Sequence, residues 1–297
     1  MKKIVVPLLI ATALITPVHA GSQDAPARIR IERRDLLPEG VEYDGRNDRF
    51  LVSSMAQGTV FAVADDGTAT PFIEDPDLIA SIGLEIDHAN GRLLVVNADL
   101  AVTGDAQNMG LSQLAIYDLD TGDRLHFVDL GSLLPDVKHF ANDVTIDAEG
   151  NAYVTDSLAP VIYKVTPDGE GSIFLQDDKL LIDGFGGNGI VYHPDSFLIV
   201  GISGVELYKV PLANPASWTV IQTSKVIAAD GMLLTPDDSL LVVNNGEIVA
   251  LSSSDQWTSA SVTEEAKRHP ASAITLRDDA VYALHPQQNE IVRVRFQ

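Results

Sequence analysis

Apolar and polar residues alternate with period two over short runs along most of this chain. Turns rich in Asp, Gly and Pro separate the runs, the pattern of half-buried β-strands. The stretch Phe140 to Ser157, FANDVTIDAEGNAYVTDS, shows the grammar: Val144 and Ile146 alternate with polar neighbours, DAEGN turns the chain, and AYVT resumes as a second strand. Similar turns recur as ADDG at 64–67, DLDTG at 118–122, TPDG at 166–169 and TPDD at 235–238. No helical apolar period is sustained.

Six segments fall into one register: EGVEYDGRNDRFLVSS from Glu39, IGLEIDHANGRLLVVN from Ile82, NDVTIDAEGNAYVTDS from Asn142, NGIVYHPDSFLIVGIS from Asn188, DGMLLTPDDSLLVVNN from Asp230 and SAITLRDDAVYALHPQ from Ser272. Their starts are separated by 43, 60, 46, 42 and 42 residues. A repeat of this length holding four short strands is a propeller blade. Each frame supplies an inner strand, a turn and a second strand; TVFAVA, QLAIYD, VIYKVT and VELYKV read as third strands. The sixth frame ends without an outer strand, and ARIRIERRDLL at 27–37 alternates outside the frames. The expected fold is therefore all-β: a six-bladed β-propeller of four-stranded blades, its ring closed by an N-terminal strand that removes an open edge.

Inner strands of a propeller surround a channel, so equivalent frame positions converge at one mouth. The first position holds Glu39, Ile82, Asn142, Asn188, Asp230 and Ser272. Glu39, Asn142, Asn188 and Asp230 offer two carboxylates and two amide oxygens, which suits calcium first among the divalent cations, with Mg2+, Mn2+ or Zn2+ as other candidates. Asn188-Gly189 and Asp230-Gly231 are also ordinary turn dipeptides. Turn chemistry alone, however, does not require a side-chain oxygen at one frame position in four blades. If the first strand leaves this mouth, the second returns to it. That places Ser53-Ser54, Asn97, Asp156-Ser157 and Asn244-Asn245 on the ligand face, with Asn142, Asp143 and Asp156 as candidate substrate contacts. The extra length of the second repeat lies at 98–111 and should overhang the same mouth, as a lid, a substrate wall or a plain insertion. His139, three residues before Asn142, is a candidate general base; His88 and His193 fall at the far turn. No Gly-x-Ser-x-Gly elbow appears, which argues against a serine hydrolase. DGFGGNG at 183–189 lacks the strand-to-helix setting of a phosphate loop.

Composition adds compartment and excludes some partners. Residues 1–20, MKKIVVPLLIATALITPVHA, read as a secretory signal peptide, leaving 21–297 for a single propeller domain and pointing to a periplasmic or secreted protein. There is no cysteine, so neither disulfides nor a thiolate zinc site can hold the fold. The formal net charge of −22 repels phosphate backbones and argues against nucleic acid as a partner. After signal cleavage no membrane contact is expected.

The frames opening Glu39-Gly40, Asn142-Asp143, Asn188-Gly189 and Asp230-Gly231-Met232 resemble the regucalcin/gluconolactonase family (senescence marker protein, gluconolactonase and luciferin-regenerating enzyme), and the resemblance covers nearly all of 21–297. It implies one divalent ion, usually calcium, on Glu39, Asn188 and Asp230, with Asn142 assisting substrate or metal and Asp230 as base. Members open sugar lactones, and related lactonases open other lactones and esters. The chain departs from the sugar lactonases at Glu42-Tyr43 and lacks an Arg frame for a sugar acid. The resulting expectation is an exported, metal-dependent hydrolase of a lactone or related ester, acting on a small molecule, with Asp230 or His139 activating water. The alternative is a non-catalytic calcium-stabilised propeller that binds a protein or small ligand on its loop face.

Overall fold

The computed structural model describes residues 25–202 and 205–296; the signal-peptide expectation at 1–20 lies outside them. Six inner strands line the axis: Pro38–Asp44, Ala80–Asp87, His139–Ile146, Gly187–His193, Ala229–Leu234 and Ala273–Arg277. Each pairs antiparallel with a returning second strand, and third and outer strands complete four-stranded blades. The sixth blade takes its outer strand from Arg28–Arg30, whose Ile29 pairs with Ile291 of Glu290–Arg293. The molecule is the expected six-bladed propeller. The closing strand is only three residues long, because Ile31 and Leu36 dive into the core and Leu37 takes a positive φ.

The turns form for a local reason. Asp44 accepts backbone N–H bonds from Arg46 and Asn47 and a bond from the Arg49 side chain, and Asp87 repeats this with Asn90 and Arg92. Such Asx turns satisfy donors that the hairpin leaves unpaired. His193 serves the fourth blade in the same way: its Nδ1 accepts from Asp195 N and its Nε2 meets Asp238.

Most of the apolar core packs between blades. Val41, Phe50, Val52 and Phe61 of blade 1 meet Tyr282, Leu284 and Ile291 of blade 6. Ile82, Leu94 and Ile116 of blade 2 meet Val144, Val154 and Tyr163 of blade 3. The channel wall combines apolar inner-strand residues such as Val41, Val144 and Ile190 with acidic and amide side chains.

Blades 4 and 5 are joined at their rims. The outer strands Thr219–Thr223 and Ser259–Lys267 run parallel with Gln222 opposite Ser259, which makes one eight-stranded sheet. The 98–111 insertion is pinned as well. Gly110–Leu111 runs parallel to His139–Phe140, and His139 N donates to the Met109 carbonyl at 2.8 Å.

Candidate functional site

The site begins as a fault in the inner strands. Pro38 opposes Ser54 while Val41 opposes Val52, so Glu39 and Gly40 together face Ser53 alone. The same two-against-one register occurs at Ile82-Gly83, Asn142-Asp143, Asn188-Gly189 and Asp230-Gly231. These β-bulges fall at the first two positions of five frames, and a bulge re-aims the side chains it carries. Blade 6 has none. The second bulge residue lies against the next blade: a Cβ on Gly40 would sit 2.6 Å from the Ile82 carbonyl oxygen, and one on Gly189 2.1 Å from that of Asp230. Hydroxyls stitch the gap. Ser53 Oγ accepts from Gly40 N at 2.7 Å and donates to the Ile82 carbonyl at 2.6 Å. Thr155 Oγ1 likewise accepts from Asp143 N and donates to the Asn188 carbonyl.

Glu39, Asn142, Asn188, Asp230 and Ser272 all line one axial cavity, so the structure brings together the four oxygen-bearing residues that the frames single out. Their accessible surface faces the channel, while the surrounding protein strips them of most water. That burial, with Asp230 and Asp143 nearby, pushes Glu39 up to about 8; burial raises Asp230 to about 6, partly offset by the Asn188 side chain. No Lys, Arg or His lines the cavity. Asn142 has a fixed amide orientation: Ser157 Oγ donates to the Gly187 carbonyl, so it accepts from Asn142 Nδ2 at 2.9 Å. The amide oxygen is thereby turned away from Ser157.

These donors fit a hard cation. They are oxygens only, they carry two formal negative charges when ionised, and they sit where burial disfavours that ionised form in the absence of a cation. Among the described residues no three His, Asp or Glu side chains converge at metal-ligand spacing. A cation here would therefore depend on the amide oxygens of Asn142 and Asn188 beside Glu39 and Asp230.

A second ring of acids lies deeper in the channel. Glu42 and Glu85, three positions after Glu39 and Ile82, line both this cavity and the one opening at the far mouth beside His88. Burial lifts Glu42 to about 8, with Thr275 partly opposing and Asp143 adding to the rise. Burial and then the Glu42 and Asp143 charges raise Glu85 well above the usual carboxylate range. Asp143, expected as a substrate contact at the mouth, lines the mouth cavity but not the far one. Its carboxylate accepts from Val144 N and Ile190 N, and burial brings it to about 7. The signal for this ring was the same register read three residues further on.

Two expectations need correction. His139 is only 5% exposed, and both ring nitrogens are engaged, Nδ1 with Asp156 at 2.8 Å and Nε2 with the Leu134 carbonyl at 3.0 Å. Burial lowers its proton affinity, but the Asp156 contact prevails and raises it. It is held as a brace, not offered as a general base. Asp156 is not a substrate contact: it is fully buried and also accepts from the backbone N–H of Phe140, Leu158 and Ala159. Asn97 and Asn244 act alike, accepting from Ile79 and Ala80 and from Ala228. Polar ends of second strands on this face thus anchor the loops that feed the inner strands, whose N–H groups would otherwise lack partners. The sequence also passed over a histidine pair near this rim, His269 Nδ1 with His285 Nε2 at 3.1 Å. Burial and the His269 neighbour press His285 down to about 4.

No family model matches the chain, and no curated protein matches it in sequence. Solved structures do match in fold. The major Malassezia sympodialis allergen Mala s 1 superposes with a TM-score of 0.75 at 17% identity, over 91% of this chain and 96% of that one. A gluconolactonase from Xanthomonas campestris gives 0.62 at 14% identity, over 91% and 89%. Virginiamycin B lyase from Staphylococcus aureus gives 0.60 at 12% identity, over 90% and 97%. The chain has the gluconolactonase-type β-propeller fold that these proteins share.

Proposed function

We propose that this protein is an exported, metal-dependent hydrolase of a lactone or related ester, with calcium as the ion. The observation that carries the reading is the convergence of Glu39, Asp230, Asn142 and Asn188 at one channel mouth without a basic partner. The gluconolactonase among the fold neighbours supports the same direction. Glu39, Asn188 and Asp230 would hold the ion, with Asn142 presenting its amide oxygen to ion or substrate. Bound there, the ion supplies a Lewis acid that stabilises the negative charge developing on a carbonyl oxygen. Asp230 would accept the proton of the attacking water. Ser272 Oγ donates to the Glu39 carbonyl and fixes the strand that carries Glu39. Residues 1–20 direct export.

The test strips the purified protein with chelator and follows thermal unfolding and turnover of a lactone panel with and without calcium. We expect calcium to raise both, and Asp230→Ala to abolish turnover, by about 10^3-fold or more for loss of both a ligand and a base. Stabilisation by calcium without turnover of any lactone or ester would convert the ion into a structural staple and the protein into a binding module.

A further inference from the structure

The two mouths of the channel differ in character. At the far mouth the inner strands end in the mostly polar turns GRND, HANG, DAEG, HPDS and TPDD, and the apolar side chains there, Ile86, Ile146 and Leu234 among them, line the channel wall inside the rim. At the mouth of Glu39 and Asp230, the loops entering the inner strands of blades 1, 2, 4 and 5, and the 98–111 insertion of blade 2, each present a large apolar side chain to solvent. Leu37 is 58% exposed, Ile79 51%, Met109 45%, Phe185 56% and Val226 64%. Leu37 and Ile79 directly precede Pro38–Asp44 and Ala80–Asp87, and Phe185 and Val226 lie two and three residues before Gly187–His193 and Ala229–Leu234. Met109 is fastened to His139 at the start of the third inner strand.

One exposed apolar side chain needs no explanation, but a set of them on one rim of a strongly acidic protein does. Folding gains little from side chains left in water. The floor below them is rich in oxygen and has no Lys, Arg or His to receive an anionic ligand. With the ion of the proposed function on the floor, a ligand that satisfies both is neutral, with a carbonyl oxygen directed to the ion and an apolar body against the rim. A polyhydroxylated sugar lactone would set its hydroxyls against hydrocarbon, where they lose hydrogen bonds to water.

We propose that these rim residues form an apolar collar that selects alkyl- or aryl-substituted lactones and esters over sugar lactones, with Phe185 and Val226 among the specificity-determining residues. The proposal rests on the bound ion of the hydrolase reading but not on turnover. In calcium-containing buffer, kcat/KM would be compared for δ-valerolactone, δ-decalactone and δ-gluconolactone, and binding of the inert ketone 2-decanone would be followed by calorimetry. We expect δ-decalactone to be preferred, with roughly two- to fourfold gained for each added methylene that reaches the collar. Phe185→Ser and Val226→Ser should shrink the decalactone-to-valerolactone ratio at least threefold. Ile173→Ser, which removes an exposed apolar residue from an outer strand, should leave that ratio alone. Turnover with δ-gluconolactone preferred would overturn the collar and keep the hydrolase. Absence of turnover with 2-decanone bound, and bound more weakly by Phe185→Ser and Val226→Ser, would support the collar and sink the hydrolase. Neither turnover nor ketone binding would sink both.

Discussion

Glu39, Glu42, Asp143 and Asp230 are each pushed above the usual carboxylate range by burial, to about 8, 8, 7 and 6. A folded state that holds protons more tightly than the unfolded chain loses stability as pH rises. Without metal, the contribution is full below about pH 4 and gone above about pH 8. Metal-free protein should therefore melt lower at pH 8 than at pH 5, and added calcium should reverse the order, because the ion needs the carboxylates deprotonated. Calorimetry should show calcium binding tighter at pH 8 than at pH 6, with protons released at pH 6; affinity independent of pH would count against these acids as ligands. Glu85 makes no hydrogen bond that offsets its burial. Glu85→Gln should raise the melting temperature of metal-free protein at pH 8 by roughly 3–6 °C, about the shift that 1–2 kcal/mol produces at this chain length, and do little at pH 5. A lower melting point at pH 8 would show that the carboxylate has a partner. The sequence made Glu39, Asn142, Asn188 and Asp230 legible because they share a frame position. It misassigned His139 and Asp156, because a strand-end side chain can turn toward the channel or toward the loop beside it, and only packing decides which.

At the scale of the strand, the bulge is the device that makes a site. A regular inner strand would send alternate side chains up and down the channel walls; two residues against one turn Glu39, Asn142, Asn188 and Asp230 to the axis at one level. Opposite two of the bulges stands a hydroxyl, Ser53 in blade 1 and Thr155 in blade 3, and each has two duties. Thr155→Val keeps the shape but strands the Asp143 N–H and the Asn188 carbonyl, whose bonds to Oγ1 measure 3.1 and 2.6 Å. Urea unfolding should show a loss of ~2–3 kcal/mol, and calcium affinity should fall with it, since both neighbours carry site residues. No change in stability would mean that the hydroxyl is dispensable and the bulge holds itself. The frame dipeptides Glu-Gly, Asn-Gly and Asp-Gly looked like turns for a good reason: bulges and turns recruit the same small and polar residues. The strand pattern was legible, whereas the bulge required the partner strand.

The strand that closes the ring is short. Three residue pairs join Arg28–Arg30 to the sixth blade, and the buried Glu290 holds Arg28 and Arg30 across the seam. Removal of residues 25–31 should lower the melting temperature by about 10 °C or more, the size that a few kcal/mol produces at this length, and should expose Glu290–Arg293 as an open edge prone to association. Retention of the parent melting point and a monomeric profile in gel filtration would show that the ring does not need its clasp. The period of the frames foretold this closure, but nothing in it foretold the union of blades 4 and 5, which depends on two outer strands meeting at the rim.

That union divides the circle unequally. Asn188 and Asp230 ride on one stiff double plate, while Glu39 and Asn142 stand on separate plates beside it. Were the ring to widen, the first two oxygens would be expected to keep their spacing better than the other two. The proposed ion would then act as a gauge of the bore, gripping best at one diameter, and anything that spreads the mouth would loosen the grip from the Glu39 side first.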